Sequence, residues 1–243
     1  MIAWFKEIPN KERCSFVKYD IADFYPSISE KLLENSIDFA RNLTDIDDDS
    51  IRIIMHCRKS LLFCYDSAWI KKSGSLFDVT MGSYDGAEVC ELVGLFLLHQ
   101  VSQLFGTNNN GLYRDDGLAI LNNTPGSATE RTKKKLIKLF KDNGLKIVVE
   151  SRLTQTDFLD VTFNLKSRKF WLYRKPNDQP LYIDMQSNHP PKLKENLPSM
   201  LAQRISQNSS DREQFDKALP SSNIQGSPEK KRVYPEDGIH QQP

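Results

Sequence analysis

Asp115 and Asp116 stand side by side in Leu112-Tyr113-Arg114-Asp115-Asp116-Gly117-Leu118, with Ala119-Ile120-Leu121 following. Adjacent carboxylates repel, and apolar surroundings penalise the charged form unless a cation or a donor compensates it. A polar turn between two strands accounts for the pair, since Asp is a common turn residue. So does a hairpin whose tip offers acids to a divalent metal. A third acid bears on the choice. Phe16-Val17-Lys18-Tyr19-Asp20-Ile21 reads as a strand, and Asp20 stands near its end. Taken alone, Asp20 is explained as a strand-end cap. If the two strands are neighbours in one sheet, however, three carboxylates converge at one edge. Oxygen ligands of this kind suit Mg²⁺, which keeps waters and accepts substrate phosphates. Two such ions about 3.5–4 Å apart hold the attacking and leaving oxygens of a phosphoryl transfer.

The elements that must position these acids follow from pattern. Ser29 is placed to cap a helix carrying Leu32, Leu33, Ile37 and Phe39. The acidic run 45–49 starts a second helix, to about Leu62. Residues 64–72 have strand character and end at the turn 73–75. A loop, Met81-Gly82-Ser83-Tyr84-Asp85-Gly86, opens an apolar helix over 87–105. The acid hairpin follows. Residues 129–143 form a basic amphipathic helix, rich in lysine, that Gly144 stops. Short strands are expected at 145–150, 157–165 and 170–174. Pro190-Pro191 precedes a helix over 193–206. From about residue 208 the chain turns polar and reads as disordered. The order predicts an α+β fold, an antiparallel sheet with helices packed on one face.

Composition narrows the class. The 243 residues carry 33 basic and 32 acidic side chains, so any nucleic-acid surface must be a local patch. Cys14, Cys57, Cys64 and Cys90 form no CxxC pair and read as reduced structural residues of the nucleus or cytoplasm. The most apolar stretch, 89–105, contains Glu91 and His99, which favours a buried helix over a membrane span. No signal-peptide layout is seen at the N-terminus.

Several words together resemble the reverse transcriptases. Asp20-Ile21-Ala22-Asp23-Phe24-Tyr25-Pro26 is similar to their first aspartate motif, and Tyr113-Arg114-Asp115-Asp116 matches their Tyr-x-Asp-Asp motif. Met81-Gly82 resembles the loop touching template and incoming nucleotide. Asn143-Gly144-Leu145 and Phe158-Leu159-Asp160-Val161 resemble the last palm element and the primer grip. Order and spacing agree from about residue 14 to 175. Tyr173-Arg174-Lys175-Pro176, Ser187-Asn188-His189-Pro190, Lys194, Pro198 and Arg204 look like the region after the palm in Penelope-like retroelements.

The resemblance implies an RNA-directed DNA polymerase that adds deoxynucleotides to a DNA primer on an RNA template. Asp20, Asp115 and Asp116, with the Ile21 carbonyl, would hold two Mg²⁺ ions, or Mn²⁺ in their place. Asp23 and Phe24 would offer backbone amides to the triphosphate. Tyr25 falls where the family places the aromatic that excludes a 2′-hydroxyl. Met81 and Gly82 would pack on the nascent pair. Tyr113, Phe158 and Leu159 would touch nucleic acid, and Arg174, Lys175, Lys194 and Arg204 would contact phosphates. The domains expected are a residual segment 1–13, a palm 14–175, a partial thumb 176–207 and a tail 208–243.

Three departures accompany the resemblance. Asp85-Gly86 stands where Ser-Pro is usual. Glu150-Ser151-Arg152 stands where many members carry a lysine. Only 19 residues precede Asp20, which implies fingers largely missing and inefficient primer extension by the chain alone. A non-catalytic relic or a maturase-like RNA binder is the alternative from another class. An RNA-dependent RNA polymerase is disfavoured by Tyr25. Oligomeric state stays open.

Overall fold

A computed structural model describes residues 1–59, 62–69, 76–176 and 186–219. The expected turn at 73–75 lies outside them. The protein divides into two compact units, Arg13–Leu153 and a second made of Met1–Glu12 with Thr154 onward.

The first unit holds a four-stranded antiparallel sheet in the order β4-β5-β1-β6. Its strands are β1 (Cys14–Ile21), β4 (Asn110–Tyr113), β5 (Asp116–Asn122) and β6 (Ile147–Leu153). A small separate hairpin joins β2 (Leu62–Cys64) and β3 (Ser67–Trp69), where one longer strand was expected. Among the described residues this unit carries the helices α2 (Phe24–Ser27), α3 (Glu30–Arg41), α4 (Asp48–Cys57), α5 (Gly86–Phe105) and α6 (Gly126–Asp142). The sheet's helix-side face is apolar. Val17, Tyr19 and Ile21 of β1 alternate into a core with Leu33 and Ile37 of α3, Val93 and Leu97 of α5, and Leu136 and Phe140 of α6.

Local signals explain these elements. The Ser29 side chain accepts from the Leu32 amide at 3.2 Å and starts α3. Asp47 accepts from the Ser50 amide at 2.8 Å and starts α4, which ends at Cys57, short of Leu62. Gly144, at φ +76°, lets the chain leave α6 in the left-handed region. No helix among the described residues is long and apolar enough to cross a membrane.

The second unit holds an antiparallel sheet, β7-β8-β9, of β7 (Gln155–Phe158), β8 (Val161–Asn164) and β9 (Lys169–Leu172). The single strand expected over 157–165 is thus a hairpin turning at Leu159-Asp160. The first residues were expected as a residual segment, 1–13. They form α1 (Ile2–Glu7), whose Phe5 is buried with its ring centroid 4.9 Å from Phe163 and 6.2 Å from Phe170. After α7 (Pro191–Gln207), the stretch expected to be disordered from 208 forms α8 (Arg212–Ala218), capped by Asp211. Phe215 and Ala218 of α8 pack with Ile205 of α7, which supplies the burial the polar composition hid. Residues 220–243 of the expected tail lie outside the described residues. The strands from Thr154 onward group with Met1–Glu12 in one compact unit. Of the cysteines, Cys14 and Cys90 are buried, Cys57 is exposed, and the Cys64 side chain lies outside the description.

Candidate active site

Register brings the acids together. β1 and β5 run antiparallel with Tyr19 opposite Gly117 and Asp20 opposite Asp116. The β4–β5 hairpin closes at Tyr113 and Asp116, which leaves Arg114 and Asp115 as its two-residue turn. Arg114 lies at φ +55°, the left-handed conformation such tight turns require. The Ile21 amide donates to the Asp115 carbonyl at 3.0 Å, tying this turn to the end of β1. Directly opposed residues share a face. Asp20 and Asp116 therefore lie on the face away from the helices, with Lys18 two residues back along β1. Tyr113 shares that face and is half exposed.

Gly117 has a steric reason. A Cβ there would collide with the Tyr19 ring, which packs under β5 and against Phe140, centroids 5.6 Å apart. The Tyr19 hydroxyl is buried without a partner, and burial pushes its ionisation far up.

Asp116 is the strained acid. Burial first, then the charges of Asp115 and Asp20, raise its pKa above the usual carboxylate value, and Lys18 offsets this in part. Among the described residues no group of three or more His, Cys, Asp or Glu side chains is placed to hold a metal ion. The three aspartates are neighbours by register and by mutual repulsion, an open set of hard oxygen donors. Carboxylate oxygens are the donor type that divalent cations such as Mg²⁺ take.

Around this edge, Asp23 sits at φ 49°, ψ 47°, in the left-handed region at the start of α2. Strain of this kind in a non-glycine residue persists only where the surroundings impose it. Phe24 is a core residue, so its backbone alone is available to a ligand. Tyr25 is half-buried. Burial, interaction with Cys90 and the charge of Asp115 raise its phenol, and the charge of Arg114 lowers it in part. Met81 is 75% exposed and Gly82 has φ +86°. Arg152 packs its guanidinium against Gly126 rather than standing at the acids. Arg58, which the sequence reading did not single out, is buried and paired with Asp85 at the mouth of α5. A lone arginine 27 residues from its partner leaves no local sequence signal.

The second unit carries the other expected contacts. Phe158 is in that unit's core, while Leu159, at the hairpin turn with φ 53°, is exposed. Arg204 pairs with Asp160 at 2.8 Å. The Arg174 guanidinium donates to the Ala218 carbonyl. Lys194 donates to the Ser187 carbonyl at 3.1 Å, and Lys175 is exposed.

This helix-backed antiparallel sheet, with acid opposite acid on its open face, is an α+β fold with the arrangement of a polymerase palm. A solved telomerase structure is similar in fold. The structure of apo telomerase from Candida tropicalis, truncated from its C-terminal domain, superposes with a TM-score of 0.52 at 14% identity. The match covers 71% of this chain and 39% of the telomerase chain, so the protein spans well under half of that neighbour's length. No protein-family profile matches the sequence. No curated protein matches it either. At this identity the likeness carries the reverse transcriptase-like fold.

Proposed function

We propose that the protein is an RNA-directed DNA polymerase domain of a retroelement, most similar to the Penelope-like group, extending a DNA primer on an RNA template with deoxynucleoside triphosphates. The observation that carries this reading is Asp20 opposite Asp116, with Asp115 in the adjoining turn. Two divalent cations, Mg²⁺ or Mn²⁺, held by Asp20, Asp115, Asp116 and the Ile21 carbonyl, would neutralise charge on the reacting phosphate and its neighbouring oxygens. The chain's own residues do the positioning. Tyr25, which feels the charges of Arg114 and Asp115, is assigned to closing the space a 2′-hydroxyl would need. Gly82 admits close backbone approach, and exposed Met81 offers an apolar surface to a base pair. Leu159, exposed at a hairpin tip of the second unit, is assigned to primer contact.

The Penelope-like assignment rests on Tyr173-Arg174-Lys175-Pro176 and Ser187-Asn188-His189-Pro190. Arg174, Lys175, Lys194 and Arg204 are assigned to phosphate contact, which predicts binding that is independent of sequence and weakens steeply with salt.

The test is primer extension on an RNA template with the purified chain, alone and joined to a fingers segment from a related element. Magnesium-dependent incorporation of deoxynucleotides that Asp115→Asn abolishes supports the reading. Equal use of ribonucleotides points to an RNA-dependent RNA polymerase. RNA binding with no extension in either form points to a non-catalytic RNA binder.

A further inference from the structure

Among the described residues, Arg58 alone of the charged side chains is buried, at 3% exposure. It follows the last turn of α4 and holds the segment 78–85 at both ends. Its carbonyl accepts from the Asp78 amide at 2.8 Å, and its Nη2 donates to Asp85 Oδ1. Its Nε has no partner. Asp85 makes no capping bond to α5 with its side chain, so the carboxylate is committed to Arg58. Between the two ends the loop folds on itself. The Thr80 hydroxyl donates to Asp78 at 2.7 Å, and the Ser83 amide and hydroxyl both donate to the Thr80 carbonyl, at 3.1 and 2.9 Å. A Cβ on Gly86 would come 2.8 Å from that carbonyl. This geometry has no room for the proline usual at that position in the resembled family, and the Arg58–Asp85 pair fastens the junction instead. Met81 and Gly82 are the residues so presented. On the far side of the junction Cys90, in the second turn of α5, senses the charges of Arg114, Asp115 and Arg58.

We propose that Arg58 is a positioning residue that fastens the Met81-Gly82 loop to the end of α4 and so sets the nucleotide contacts of the acid site. The proposal rests on the polymerase reading for what the loop touches; the fastening itself does not. At 3% exposure Arg58 does not reach a nucleotide and acts through Asp85. Lysine does not replace it, because a single ammonium lacks the planar fork and would be left buried.

The experiment compares the full chain with Arg58→Lys and Asp85→Ala by hydrogen exchange. The expected result is exchange about tenfold faster at amides 78–86, with those of β1 and β5 unchanged. In extension assays KM for a deoxynucleotide rises about tenfold while kcat changes less than about twofold. If Arg58→Lys does not fold, Asp85→Ala carries the comparison. Unchanged loop exchange in the variants overturns the proposal, as does equal loosening of β1 and β5, which would make Arg58 an ordinary core residue. Loop loosening with an unchanged KM overturns the nucleotide-setting role. A parent chain that does not extend primers in any form refutes the polymerase reading, and the exchange result still decides the fastening.

Discussion

In the β7-β8-β9 sheet, residues facing each other across strands satisfy each other. The Thr162 hydroxyl donates to Asp157 at 2.5 Å, and the Asn164 amide donates to Gln155 at 2.9 Å. At the matching place in the β4-β5-β1-β6 sheet, Asp20 faces Asp116, a like-charge pair that weakens a sheet. The same sheet gives up a side chain at Gly117, where the Tyr19 ring leaves no room for a Cβ. One sheet sets polar partners opposite each other; the other sets two acids opposite each other beside a glycine that a neighbouring ring requires. Clustered violations of this kind mark sites kept for function rather than stability.

The largest expected effect comes from removing an acid. Asp115→Asn should reduce metal-dependent primer extension about a thousandfold with the fold intact, since the residue lies in an exposed turn. Circular dichroism and extension assays together check it. Asp157→Asn in the other sheet should leave extension within about twofold. Gly117→Ala comes next. The added methyl meets the Tyr19 ring and should cost about 1–3 kcal/mol in urea unfolding. Thr162→Val removes the bond to Asp157 and should cost about 1 kcal/mol by the same measurement.

The smallest effect has the opposite sign. Because the Asp116 pKa is raised in the folded state, ionisation of Asp116 weakens that state. The penalty is absent below the unfolded carboxylate value of about 3.9 and grows as pH rises through the raised folded value. Asp116→Asn should therefore stabilise the metal-free protein at neutral pH, by under about 1 kcal/mol given partial solvent screening. The gain should vanish as pH falls, and added Mg²⁺ should favour the parent over the variant. Thermal melts across pH check each part. A destabilised Asn variant at pH 7 without metal would remove the repulsion argument.

The acid site was legible because its signals are local. A strand ending in Asp20 and a strand pair flanking Asp115-Asp116 define an edge, and antiparallel pairing sets the register. Ser29 and Gly144 mark helix ends through their own side-chain chemistry. The second unit was harder to read. The hairpin turn at Leu159-Asp160 carries no glycine, asparagine or proline, so 157–165 looked continuous. α8 has a polar sequence whose order comes from two buried residues and the Asp211 cap. Met1–Glu12 looked like a remnant, because only tertiary packing reveals where Phe5 goes. Arg58 shows the same limit inside the palm, since its buried pairing with Asp85 is a fact of packing.

Direct binding of Mn²⁺, followed by its EPR signal, tests the central claim that Asp20, Asp115 and Asp116 form one divalent-metal site. The parent chain should bind Mn²⁺ competitively with Mg²⁺, and Asp20→Asn, on a different strand from the Asp115 turn, should weaken binding as strongly as Asp115→Asn. Equal binding by the parent and both variants would contradict the account.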